Sequence, residues 1–229
     1  MRRRLLLIVL GAGVSTLALA AVAAAVTVTE SGNAGSLPAT AQTTADRVDL
    51  ITGALSDFND EDVYRVCLTG GKTFSAATVG LNELSDPQLF LFDATGRGVY
   101  ANDDFDFISL ESNLPAGHPL TPSAGGVYYL AISSFDNDPV SEGGLIFGFG
   151  SFPIQAPDGP GGASPVSDWT NQGTSRGSYR IRLTGTRACL PTTKEECKNS
   201  GWRNFGVFRN QGDCVSFVAT RGKNPPDGP

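Results

Sequence analysis

Short runs of apolar and β-branched residues, separated by clusters of Gly, Asp, Asn and Pro, recur between residues 46 and 185. In the last run, Tyr179, Ile181 and Leu183 alternate with arginines. A period of two is typical of a β-strand with one face in the core, and no helical period competes with it here. The pattern predicts strands in the runs DVYRVCLT, TFSAATVG, PQLFLFDA, GRGVYAN, GVYYLAIS, GLIFGFG and SYRIRLTG.

One of these runs is apolar without alternation. Residues 89–92, LFLF, follow one another with no polar side chain, which favours a central strand covered on both sides. The turn sequence DATG comes next, and Gly96 is suited to the positive φ of a hairpin turn. Seven short strands with frequent turns predict an all-β fold, a sandwich or jelly roll rather than a closed barrel.

The amino terminus has a different pattern. Three arginines, Arg2 to Arg4, precede an uncharged apolar run from Leu5 to Val28 that is rich in alanine. This is the pattern of an export signal, and we expect a signal peptide over residues 1–26. A run of this length also fits a retained membrane anchor, so both interpretations stay open. Residues 27–44 are predicted as a flexible linker.

The net charge of the chain limits the classes of partner that can be expected. The chain has 17 basic and 23 acidic residues, a net charge of −6. Nucleic-acid-binding proteins need a basic surface, so a nucleic-acid partner is not expected. We expect a secreted or cell-surface protein, monomeric and free of the membrane once the signal is cleaved.

Four cysteines, Cys67, Cys189, Cys197 and Cys214, lie in this chain. In an exported protein disulfides are the expected state, and four cysteines allow three pairings. We favour Cys197 with Cys214, because both fall in one compact motif, which leaves Cys67 to pair with Cys189. A zinc site is not expected, since there is no C-x-x-C and the only histidine, His118, is distant in sequence.

Residues 187–229 predict a small Cys-rich and aromatic unit with a disordered end. Thr193 and Glu196 have the spacing of a capping box for a first short helix. The segment Asn210–Val218 predicts a second one, with Asp213 favourable near its start. We therefore expect a helical hairpin stapled by the second disulfide.

This tail also carries a candidate binding surface made of Trp202, Arg203 and Arg209. An aromatic ring beside guanidinium groups is suited to contact with a cell-envelope component or another partner. The alternative is that Trp202 joins Phe205 and Phe208 in the core of the tail. A second candidate is Trp169, which would stack on a sugar ring if exposed or would pin its own loop if buried.

Acidic loops abut several predicted strands, and one of them is NDDFD at residues 102–106. Its carboxylates, Asp103, Asp104 and Asp106, form a candidate calcium site, because Ca²⁺ prefers six to eight oxygen ligands. The competing interpretation is that these residues accept backbone hydrogen bonds in turns. Calcium is the only cofactor that the sequence indicates.

The order DVYRVCLTGGKTFSAATVG, DPQLFLFDATGRGVYANDDFD, TPSAGGVYYLAISSFDNDP and GSYRIRLTG resembles the bacterial pre-peptidase C-terminal domain. That resemblance covers residues 45–186 and implies an antiparallel jelly-roll-like β-sandwich that accompanies secreted enzymes and binds calcium in some members. The tail CKNSGWRNFGVFRNQGDCVSFV resembles a C-terminal motif of exported actinobacterial proteins, from which it departs at Ser200, a glycine in the motif.

We therefore expect an exported, non-catalytic accessory or surface-binding module, stabilised by calcium. The only imidazole base for nucleophilic catalysis is His118, which lies in a loop rich in Pro and Gly. The alternative is a secreted hydrolase that acts on cell-wall or other polysaccharide through paired loop carboxylates.

Overall fold

The computed structural model describes residues 25–44, 47–80, 84–106, 108–148, 154–191, 193–205 and 207–228. The predicted signal peptide, residues 1–26, lies outside this part of the chain apart from its last two residues. Within the described ranges, no helix has the length and apolar character needed to cross a bilayer.

The main body is built from short strands, followed by a tail with little regular structure. The strands are β1 Thr27–Thr29, β2 Gln42–Thr43, β3 Leu50–Leu55, β4 Asp62–Leu68, β5 Ser75–Thr78, β6 Pro87–Asp93, β7 Gly98–Asn102, β8 Asn113–Leu114, β9 Gly126–Ser134, β10 Pro139–Ser141, β11 Gly144–Leu145, β12 Asp168–Trp169, β13 Gly177–Thr184 and β14 Thr186–Arg187. The tail contains 3-10 turns at Glu195–Cys197 and Gly201–Phe205 and the helix α1, Gln211–Ala219.

Two sheets face each other across an apolar core. The first has the order β1-β3-β13-β5-β8, and the second has the order β14-β4-β9-β6-β7, with β2 alongside β4. A small third sheet has the order β11-β10-β12. The predicted all-β sandwich is therefore confirmed. The pairs β1–β3 and β2–β4 are parallel, and the other pairs are antiparallel. The prediction of purely antiparallel sheets is therefore wrong for these two pairs.

Strand β6 shows why the run of residues 89–92 is apolar on both faces. Leu89 and Leu91 lie in the core between the two sheets. Phe90 and Phe92 point to the opposite face, where a second apolar cluster that includes Trp169 covers them. Because successive side chains of a strand alternate between faces, a strand buried on both sides must be apolar throughout.

The segment 27–44, predicted as a flexible linker, belongs to the sandwich instead. Strand β1 pairs with β3, and β2 lies beside β4. Between them Ala34 is buried, and its backbone N–H donates to the Asp62 carboxylate. Residues 27–44 are therefore part of the folded domain and not a linker.

Antiparallel pairing gives the sandwich two distinct ends. The start of β4, the start of β6 and the end of β9 lie together, since Asp62 pairs with Ile132 and Pro87 pairs with Ser134. We call this the acidic end. The other end, which we call the tail end, is where Leu68 of β4 pairs with Thr186 of β14.

Two disulfides, Cys67–Cys189 and Cys197–Cys214, are present, and they are the pairings that the sequence favours. The first joins β4 to the chain just after β14 and so fixes the tail at the tail end. Disulfides persist in oxidising compartments, so the pair of them indicates such an environment for this protein.

The tail has its own small core around the second disulfide. Cys197, Phe205, Phe208 and Cys214 are buried, and Trp202 packs against them while partly exposed. Fewer than about 40 residues rarely fold without a covalent staple, so this disulfide substitutes for a larger core.

Both predicted helical segments of the tail are present, the first as a short 3-10 turn and the second as an α-helix shifted by one residue. The Thr193 backbone N–H donates to the Glu196 carboxylate at 2.7 Å, as a capping box requires, but a 3-10 turn follows it rather than an α-helix. Asn210 caps α1 by accepting from the Asp213 N–H. The predicted disordered end is also tied down in part, because Asp227 pairs with Arg209 at 2.8 Å.

Candidate metal centre

Three carboxyl groups meet at the acidic end. Asp86, Asp103 and Asp104 each place one carboxylate oxygen within 4.8 Å of the other two. Asp86 immediately precedes β6, and the other two residues follow β7. These strands form an antiparallel hairpin in which Leu89 lies opposite Asn102, so the start of one strand adjoins the end of the other.

Hydrogen bonds fix the backbone that carries these side chains. The Asn102 side chain donates to the Asp104 carbonyl oxygen at 2.8 Å. The Phe135 N–H donates to the Asp86 carbonyl oxygen at 2.8 Å. The buried Ser112 hydroxyl lies within hydrogen-bond distance of the Asp103 carbonyl oxygen. The three carboxyl groups are therefore held together by the fold itself.

The cluster lacks a neutralising partner among the described residues. Asp103 is only 7 % exposed, and its Oδ1 atom is buried without a hydrogen-bond partner. The Oδ1 atoms of Asp86 and Asp104 are in the same condition. A buried acceptor without a donor destabilises the folded state, so each of these atoms is suited to receive a cation or a donor group.

The pKa values of these carboxyl groups are raised, as expected for crowded and buried acids. Burial, together with the nearby carboxylates of Asp104, Asp86 and Asp138, raises the pKa of the Asp103 carboxyl to about 7. Burial also raises the pKa of Asp86 to about 6, with Asp104 contributing. Both shifts arise because negative charge is crowded into a poorly solvated place, and a bound cation would relieve both effects.

Asp106, the third predicted calcium ligand, does not belong to the cluster. Its Oδ1 atom accepts the N–H groups of Ile108 and Ser109 at 2.8 and 2.9 Å. It thus fills the turn-forming role that was the alternative interpretation of the loop. Asp86 takes its place. The local sequence pattern does not indicate Asp86, because this residue lies 17 positions before Asp103 and only the hairpin register brings the two together.

Trp169, the predicted sugar-stacking residue, is buried rather than displayed. Its side chain is 4 % exposed, and the indole N–H donates to the Ser36 carbonyl oxygen at 2.8 Å. The ring packs edge-on against Phe90 with 5.5 Å between centroids. It therefore pins its loop to the outer face of the sheet and offers no platform for a sugar.

The candidate surface on the tail is brought together in part. The Arg203 guanidinium lies 5.2 Å from the centre of the Trp202 ring, and Arg203 is exposed. Arg209 is exposed as well, but its charge is paired with Asp227. The surface thus consists of one cation stacked on a partly buried indole.

Exposed apolar side chains border the carboxyl cluster. The loop that follows β7 displays Phe105, Ile108 and Leu110, which are 57 %, 95 % and 46 % exposed. Clustered exposed apolar groups next to polar ones are typical of contact surfaces. Sequence reasoning missed this feature because apolar residues in a loop give no periodic signal.

No protein-family model matches this chain, and none of the curated proteins compared with it matches either.

Proposed function

We propose that this protein is an exported, non-catalytic β-sandwich module that binds a calcium ion through Asp86, Asp103 and Asp104. The single observation that carries this proposal is the cluster of three carboxyl groups, each with one oxygen within 4.8 Å of the other two and each with a buried oxygen that lacks a hydrogen-bond partner. A hard divalent cation with oxygen ligands satisfies all three at once and offsets their repulsion.

The ligand chemistry supports calcium over other metals. All three side chains are carboxylates, and no histidine or free cysteine joins them in the described part of the chain. Transition metals prefer nitrogen and sulfur ligands, whereas magnesium demands strict octahedral geometry. Calcium accepts irregular oxygen sites and completes its shell with water.

The surface-binding role rests on the position of the site. The exposed side chains of Phe105, Ile108 and Leu110 lie in the loop that continues from the cluster. A bound cation would hold this loop in one conformation, and the loop would then contact a cell-envelope component. The two disulfides support export of the chain.

Thermal unfolding with calcium and with chelator tests the metal site. At calcium about 100 times the Kd, binding stabilises the folded state by about 2.7 kcal/mol. For a domain of this size that corresponds to a rise in Tm of about 5–10 °C. Asp103→Asn should remove the rise and, without calcium, should melt above the wild type because the repulsion is gone.

The control is Glu142→Gln, which changes an exposed carboxyl between β10 and β11 and should keep the full calcium response. Equal melting temperatures with and without calcium would refute the metal site. Binding to purified cell envelope by wild type and by a Phe105→Ser, Ile108→Ser double variant tests the surface role. That role is wrong if the two proteins bind equally.

A secreted polysaccharide hydrolase is the second candidate, favoured by one observation. Because burial raises the pKa of Asp103 to about 7, this carboxyl retains a proton near neutral pH, as a general acid must. Asp86 or Asp104 would then act as the base or nucleophile. Release of reducing sugar from cell-wall polymers by the wild type, and not by Asp103→Asn, would establish the hydrolase and overturn the non-catalytic assignment.

A further inference from the structure

A cavity of about 330 Å³ opens beside the carboxyl cluster, on the outer face of the second sheet. Its walls include Gln88 of β6 and Asp103 after β7, together with Asp136, Asp138 and Phe147 from the segment that follows β9. The volume is that of a small-molecule site at the lower end of the usual range. Only Asp103 belongs both to this cavity and to the cluster.

The cavity is negatively charged. Three carboxyl groups line it, those of Asp103, Asp136 and Asp138, and no Lys or Arg is among its described lining residues. Its two buried side-chain oxygens without partners, Gln88 Oε1 and Asp103 Oδ1, are both acceptors. A complementary occupant must therefore supply hydrogen-bond donors and positive charge.

The rest of the wall is aromatic. Phe90 and Phe147 lie 5.6 Å apart between ring centres, and Phe135 completes this side of the cavity. Aromatic rings pack against methylene groups and attract cations through their negative faces. An alkyl chain that ends in an ammonium group matches both halves of this lining.

The acidic half of the cavity is held rigidly. The Asp138 carboxylate accepts from the Gln88 side-chain N–H at 3.2 Å, and the Asp138 backbone N–H donates to the Thr170 hydroxyl at 2.8 Å. The same hydroxyl donates to the Asp136 carbonyl oxygen at 2.8 Å. A ligand thus meets carboxyl groups that are already in position, and little ordering opposes binding.

We propose that this cavity binds a primary alkylammonium group, as found in a lysine side chain or a free diamine. The ammonium would lie among Asp103, Asp136 and Asp138, and the methylene chain would pack on the phenylalanine rings. This inference goes beyond the calcium site and does not depend on it. A lysine in a peptide and a free diamine share the chemistry, and separate arms of the experiment distinguish them.

Calorimetric titration at low salt and about pH 8, where carboxyl groups are largely ionised, provides the test. The probes are 1,5-diaminopentane, a short peptide with one central lysine, and the neutral isostere 1,5-pentanediol. At least one amine should bind about tenfold or more tightly than the diol, because charge-assisted hydrogen bonds contribute about 1.5–3 kcal/mol each. Preference for the peptide over the diamine identifies a protein partner, and the reverse identifies a free amine.

Two variants test whether the amine binds at the acidic residues of the cavity. Asp136→Asn and Asp138→Asn should each weaken amine binding about tenfold. Asp136 has a positive φ of 68°, a conformation that asparagine tolerates, so its replacement leaves the backbone unstrained. Asp86→Asn, outside the cavity, should bind the amine as the wild type does while losing the calcium-induced rise in Tm.

The outcomes separate this proposal from the calcium site. Loss of amine binding in Asp136→Asn with an intact calcium response supports the cavity as a distinct site. Equal binding of the diamine and the diol, tighter binding of a neutral disaccharide, or no amine binding by the folded wild type overturns the proposal. Failure of the calcium response alone refutes only the proposed metal site.

Discussion

Asp62 is a fully buried acid in the core between the sheets, and its proton should control stability. Its side chain is 0 % exposed, and the carboxylate accepts from the Tyr179 hydroxyl at 2.6 Å and the Ala34 N–H at 3.2 Å. Burial raises the pKa of Asp62 from its ordinary value of 3.8 to about 7, although the bond from Tyr179 lowers it. The carboxylates of Glu30 and Asp60 contribute to this rise.

The sign of the pH dependence follows from this shift. The folded protein retains the proton to higher pH than the unfolded chain, so protonation of Asp62 favours folding. The stabilisation is complete below about pH 4, falls as the pH rises and is lost above about pH 7. At about 1.4 kcal/mol per pKa unit, the total change is about 4 kcal/mol. Domains are stable by about 5–15 kcal/mol, so this loss is large.

Asp62→Asn should remove this contribution. Urea unfolding can be followed by tryptophan fluorescence, in the presence of chelator, at several pH values between about 4 and 8. Over this range the free energy of unfolding of the variant should fall by about 4 kcal/mol less than that of the wild type. At about pH 4 the variant should be less stable by about 1–3 kcal/mol, because one amide oxygen cannot replace two carboxyl acceptors. Glu142→Gln should follow the wild type. If the free energies of unfolding of the wild type and of Asp62→Asn changed equally with pH, Asp62 would not be the group that controls stability.

Two further substitutions test other parts of the structure. Trp169→Ala should lower the free energy of unfolding by about 3–5 kcal/mol, because it opens a void beside Phe90 and removes the bond to Ser36; an unchanged urea midpoint would contradict the buried placement. Replacing Cys197 and Cys214 with serine removes a staple that stabilises by about 3 kcal/mol. Limited proteolysis should then cut the tail while the sandwich persists, and a protease-resistant tail would contradict that expectation.

The local pattern of apolar and polar residues was sufficient to predict many strands of the sandwich. In β13 the alternation of Tyr179 and Ile181 with arginines matches the observed alternation of buried and exposed residues. Strand β3 was missed because Gly53 interrupts its apolar pattern. A Cβ atom at Gly53 would overlap the Tyr179 hydroxyl, so the glycine is required by a contact with a residue more than 120 positions away. No local pattern reports such a constraint.

The carboxyl cluster of Asp86, Asp103 and Asp104 was predictable only in part, for a related reason. Asp103 and Asp104 were found because acidic residues follow a strand, but Asp86 requires the register of β6 against β7. That register shifts between Leu91 and Phe92, where the ladder is irregular. If residues are paired outward from the DATG turn without this shift, each residue at the start of β6 is placed one position away from its observed partner in β7. The position of Asp86 relative to Asp103 and Asp104 is then wrong as well.

The spacing between the two ends of the sandwich has a mechanical consequence. Strand β9 runs the whole way from Gly126 to Ser134, so about 25 Å separates its ends at about 3.3 Å per residue. Tension applied through the tail enters the protein at β14 and at the bond between Cys67 and Cys189. The load is then shared along β4 and its ladder with β9 before it reaches the carboxyl groups at the far end.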